Sequence, residues 1–199
     1  MDGVLASAHQ VEEISRRLGE PPVLVALAQL TYGYAHLAAG RPADAIEPAR
    51  ASLHLHGLVN KPNAGLSAAL LAAALLQTGD LAAAQSAAEQ SIALCRRSLR
   101  GNYEAEAHGV LARALLRRDG AAAREAAEAA LANAAALIES TGAKTLAPSL
   151  CEWRAELAAV LGNDATRLQL LREAQQRYEQ IGAPLQAQRI GRLLSESTS

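Results

Sequence analysis

LLQTGDLAAA, residues 75–84, reads as the end of one helix, a turn and the start of another. Leucines close the first segment, Gly79 breaks it, Asp80 stands where an N-cap belongs, and alanines open the second. Glycine just past a helix end takes the left-handed cap without a Cβ clash. Asp at an N-cap accepts from backbone N–H groups that have no partner inside the helix. The pattern recurs. HLAAGRPADA (36–45) and LLRRDGAAAR (115–124) align with it at steps of 39 and 40 residues, and AVLGNDATRL (159–168) follows about 43 further on. A period near 40 residues built from two helices signals stacked helical repeats.

Outward from this turn, nine of the fourteen glycines fall 17 to 22 residues apart: Gly19, Gly40, Gly57, Gly79, Gly101, Gly120, Gly142, Gly162 and Gly182. Between them apolar residues recur at i, i+3, i+4 and i+7, the helical period. The spacing predicts antiparallel helices of four to five turns joined by short turns. Asn63, Asp80 and Asn102 occupy N-cap positions. Arg16, Arg17, Arg96, Arg97, Arg100, Arg117 and Arg118 crowd the last turns, where cations complement the helix dipole. That explains the arginine clusters better than nucleic-acid binding does. Two prolines disturb the scheme. Pro48 should kink its helix or delay its start. Pro148, with Ser149 and Glu152 at capping-box spacing, moves a helix start from about 146 toward 150.

Composition agrees. Alanine supplies 47 residues and leucine 32, while only 3% are aromatic and Phe is absent. These are helix formers, and strand-favouring residues are scarce. The formal net charge of −1 gives no whole-chain footprint for nucleic acid or anionic lipid. Cys95 and Cys151 lack metal or redox spacing and read as small core residues in a reducing compartment. MDGVLASAHQVEE has no apolar signal-peptide region. The most apolar run, AALLAAALL (68–76), is too short to span a bilayer. A soluble, cytoplasmic protein without membrane contact is expected.

No motif carries chemistry. His54 and His56 are two apart on a helix and face different ways, and His9, His36 and His108 have no i+4 partner, so no metal is expected. Phosphate loops, HExxH and nucleophile elbows are absent, and no cofactor is expected. Glu12 and Glu13 are adjacent, hence splayed. Asp119-Gly120 marks a helix–helix turn. Trp153 is packing or a groove edge.

The repeats resemble the tetratricopeptide repeat, a helix-turn-helix module with small residues where its helices cross. The matching positions are Gly33, Ala72, Ala112 and Ala155 on the first helices. On the second helices they are Ala45, Ala84 and Ala123, followed by Ala49, Ala88 and Ala127. The fourth repeat departs, with Arg154 before its small residue and no clean small pair on its second helix. The resemblance implies an all-α, right-handed α-solenoid of about ten antiparallel helices in a single domain, residues 1–195. Its repeats are 22–57, 63–100, 102–142 and 146–182, with a half-repeat at 3–18, a capping helix at 184–195 and a disordered tail at 196–199.

The long copies are similar to those closing bacterial adenylate/guanylate cyclases fused to an ATPase module, and MalT-like or LuxR-type transcriptional regulators. STGAKTLAPSLCEWRAELAAVLGNDA and LREAQQRYEQIGAPLQAQRIGRLL carry that likeness. Starting on a half-repeat, the chain is expected to be a piece of such a protein, or to use its first helix as an unpaired cap. The resemblance puts Tyr178 in the core and lines a concave groove with the first helices. Groove positions are then Leu30, Tyr34 and Leu37; Ala69, Ala73 and Gln77; Gly109, Arg113 and Arg117; and Glu152, Glu156 and Ala159. The sites to test are Tyr34, Gln77, Arg113, Arg117, Glu152 and Glu156.

Such a groove is apolar, then basic, then acidic, unless the two charged patches neutralise each other across neighbouring helices. It fits a non-enzymatic interaction scaffold whose partner is a protein or peptide, a neighbouring domain, or a second copy in a homodimer. The alternative is a sensor for a small effector or signal peptide.

Overall fold

The computed structural model describes residues 2–59 and 61–196. They are helical almost throughout, with no strand among them. The α-helices are α1 (Asp2–Arg17), α2 (Pro22–Ala38), α3 (Pro42–Val59), α4 (Lys61–Thr78), α5 (Leu81–Ser98), α6 (Gly101–Asp119), α7 (Arg124–Thr141), α8 (Ala147–Val160), α9 (Asp164–Gln180) and α10 (Pro184–Glu196). Short 3-10 turns at Gly120–Ala123 and Lys144–Leu146 lead into α7 and α8. None of these helices is long and apolar enough to cross a membrane.

Seven of the nine rhythmic glycines have positive φ, Gly79 the largest at 86°. Two do not act as caps. Gly57 lies inside α3, which runs on to Val59. Before Gly101 the left-handed cap is Leu99, with φ 55°. Gly101 is needed for packing instead, since a Cβ there would stand 2.7 Å from Thr141 Cγ2.

Asp80 caps α5 by accepting from the Ala83 N–H at 3.1 Å. Asn163 does the same for α9, accepting from Thr166 at 3.2 Å. Asn63 and Asn102 do not cap, because α4 and α6 begin ahead of them. Pro62 sits in the first turn of α4, where its missing N–H costs nothing. Pro48 does not delay α3, which starts at Pro42. Pro148 sits in the first turn of α8, and no side chain caps that helix. Ser149 meets the Tyr178 hydroxyl instead. Glu196 closes α10 rather than opening a tail; residues 197–199 lie outside the described residues.

Each helix packs on the next, and α2, α4, α6 and α8 also touch in series. The small residues at the crossings are all buried. Ala45, Ala49, Ala72, Ala84, Ala88, Ala112 and Ala127 have no exposed surface, and Ala123 and Ala155 little. Leucines fill the space between: Leu70, Leu76 and Leu116 are among the largest fully buried side chains. Each contributes roughly 2 kcal/mol by leaving water.

One hydrogen bond recurs with the period. Ser52 Oγ donates to the Ala26 carbonyl at 2.9 Å, tying α3 to α2. Ser91 Oγ donates to the Gly65 carbonyl at 2.8 Å, tying α5 to α4 in the same way, with both partners 39 residues further along the sequence. His54 is exposed and His56 fully buried. His56 Nδ1 lies 2.9 Å from Ser67 Oγ, joining α3 to α4.

Candidate binding groove

Arg113 and Arg117 stand one turn apart on α6, and Glu152 and Glu156 one turn apart on α8. Because α6 and α8 are neighbours, their charges meet rather than forming separate patches. Glu156 lies between the arginines: Arg113 Nε donates to one carboxylate oxygen at 2.7 Å and Arg117 Nε to the other at 2.6 Å. Burial opposes ionisation of Glu156, yet the two guanidiniums outweigh it and hold its carboxyl below the usual range. Arg117 also reaches the Leu76 carbonyl in the last turn of α4.

Glu152 is engaged from the other side. The Tyr178 hydroxyl donates to Oε1 at 2.6 Å, and Arg189 Nη2 donates to both oxygens, at 2.7 and 2.6 Å. Burial, then the bond to Glu152, lifts the Tyr178 hydroxyl to about 12, so it keeps its proton. Tyr178 is buried as expected of a core residue, with its polar end turned to this network.

These side chains border one cavity of about 780 Å³, together with Gln77, Trp153 and Arg167. The Trp153 indole lies flat against α6 over Gly109, where a Cβ would stand 2.6 Å from three ring atoms. Gly109 therefore serves ring packing and is not itself a groove surface. Of the six residues singled out in the sequence, Gln77, Arg113, Arg117, Glu152 and Glu156 come together here. Tyr34 does not. It is half-buried against the apolar cluster that includes Leu30, Leu70 and Leu71. Burial, and then Glu106, raises its hydroxyl pKa.

Of the two arrangements open from the sequence, separate basic and acidic patches or patches that neutralise each other, the ion pairs fit the second, extended by Arg189 on α10. Sequence reasoning missed Arg189, which lies in the segment read only as a capping helix, and Arg167. Neither repeats with the period, so spacing gave no signal for them.

No known protein family matches the chain, and no curated protein matches it.

Proposed function

We propose that this chain is a non-enzymatic interaction and regulatory scaffold, a right-handed solenoid of tetratricopeptide-like repeats that receives a peptide segment in the cavity among α6, α8, α9 and α10. The repeat reading is supported by the buried small residues at each crossing, by the serial contact of α2, α4, α6 and α8, and by the recurring serine bond. The site reading rests on one observation: charged side chains from separate helices converge on a single cavity. Bonded carboxylates and arginines suit recognition of polar groups. Within the network Glu156 is held low and Tyr178 high, so neither of these two is poised to exchange protons near neutrality.

Panning a random peptide library on the full chain tests this. Selected peptides should bind wild type and lose most affinity to Arg113→Glu, whose helix content by circular dichroism is unchanged. Equal binding to both proteins would remove the cavity as the site.

A second reading, a sensor for a small effector, is favoured by the cavity's size. About 780 Å³ falls within the roughly 300–1,000 Å³ of small-molecule sites. A separate contact surface, for a second copy, is suggested by exposed Ile14, Leu18, Val23 and Leu27 near the α1–α2 turn.

A further inference from the structure

One carboxylate on α6 stands apart from the cavity network. Glu106 lies one heptad before Arg113 and eleven residues before Arg117, so all three share a helix face. The two arginines and both cavity glutamates have partners. Glu106 is half-buried, and no hydrogen bond or ion pair to it is present among the described residues. Its carboxyl is pushed up to about 7 by burial alone, with no cation to bring it down.

Its surroundings are aromatic and acidic rather than basic. Tyr103 precedes it by one turn on the same face of α6, and both are partly covered. Tyr34 stands on α2, packed against the apolar cluster, and after burial the charges of Glu106 and Tyr103 raise its hydroxyl pKa. From α5 the buried Cys95 thiol feels Glu106 too, with Arg100 weaker at the helix end. Glu104, the neighbouring acid, is already taken by Arg96 at 2.6 Å. A carboxylate with phenol rings beside it and no counter-charge matches what an ammonium or guanidinium group needs: an opposite charge and π faces.

We propose that Glu106, with Tyr34 and Tyr103, forms a cation subsite on the same face as the cavity, and that it takes a lysine or arginine side chain of the bound peptide. The subsite rests on the peptide-binding reading above and adds its polarity. One heptad of helix spans about 10 Å, so the basic residue sits about three extended residues from the part of the peptide that faces Arg113.

The test uses peptides selected on the full chain at pH 8, where Glu106 is ionised. Their affinities are measured for wild type, Glu106→Gln and Arg113→Glu between pH 6 and 8. Selected peptides should share a lysine or arginine. Replacing it with a neutral residue, or making Glu106→Gln, should each weaken binding about tenfold, and the two losses should not add. Wild-type affinity should rise from pH 6 to 8, and that of Glu106→Gln should stay flat, a signature that a merely structural role would not give. Peptides that bind in an Arg113-dependent way, yet change less than about twofold with Glu106→Gln, would overturn the cation subsite and leave the groove standing. Selecting no peptide, or none sensitive to Arg113→Glu, would overturn the groove and the subsite with it.

Discussion

In α2–α5, helices close on one another through small side chains. Gly65 of α4 sits so near α5 that a Cβ would stand 2.5 Å from Cys95 Sγ and 3.1 Å from its backbone nitrogen. In α6–α10 the fit is looser. α7 and α8 touch far less than α5 and α6 do, and the 3-10 turn at Lys144–Leu146 lies between them. There α6 and α8 carry Arg113, Arg117, Glu152 and Glu156 where α4 carries Ala69, Ala73 and Gln77. Successive packed helices therefore yield a sealed face or an open cavity, depending on the size and charge of a few side chains. Alanine lets the helices close; arginine and glutamate need water or each other, so they hold a space open.

The largest test of this contrast is a methyl group. Gly65→Ala meets backbone atoms that cannot move aside cheaply, at a cost of about 3 kcal/mol. Ala gains about 1 kcal/mol of helix propensity over Gly, leaving a net loss of about 2 kcal/mol in urea unfolding. Gly109→Ala meets only side-chain atoms, those of the partly exposed Trp153 ring at the cavity edge, and no backbone. Its net loss should be below about 1 kcal/mol. Equal losses at the two glycines would mean that both halves are packed to the same tolerance.

The packed half is the one that the sequence made legible. Gly79, Asp80 and the alanines after them set turn, cap and crossing in ten residues, and each does so locally. Gly101 misled because a glycine answers two demands, a left-handed φ or a close approach, and spacing cannot separate them; Gly57 answers neither, since its φ is not positive and a Cβ there would meet nothing within 4 Å. The cavity was half legible. Arg113, Arg117, Glu152 and Glu156 follow from one-turn spacing on neighbouring helices. That Glu156 would bridge both arginines, or that Arg189 would reach Glu152 from α10, depends on the stagger of helices far apart in sequence. Glu106 gave no signal, since an unpaired carboxylate is defined by neighbours it lacks.

At the seam between the halves, Glu106 supplies a pH test of intermediate size. Its carboxyl is raised from 4.5 to about 7 by burial, so the folded state holds a proton that the unfolded state releases. The resulting stabilisation is fully present below 4.5 and is lost as pH rises through about 7. Glu106→Gln should therefore gain about 1–2 kcal/mol over wild type at pH 8 and show little difference at pH 5. His56 and His108, both depressed by burial, act in the opposite direction: they lose stability as pH falls below 6.5. The window from 6.5 to 8 isolates the carboxylate. Unchanged stability of Glu106→Gln across that window would mean that Glu106 is solvated and that the seam is open to water.

The smallest effects come from the two side-chain caps, one in each half. Asp80 opens α5 in the packed half and Asn163 opens α9 in the looser one, with near-equal bonds of 3.1 and 3.2 Å. Each cap replaced by alanine should cost about 1 kcal/mol. What differs is where the loss is felt. Asp80→Ala should lower hydrogen-exchange protection throughout the chain, because opening the tightly packed helices exposes the core that the rest leans on. Asn163→Ala should lower it chiefly in α8–α10, which can open across the sparse α7–α8 contact while α2–α5 stay closed. If both substitutions reduce protection evenly along the chain, the molecule unfolds as one cooperative unit. The looseness at α7–α8 would then be a matter of local geometry and not of stability.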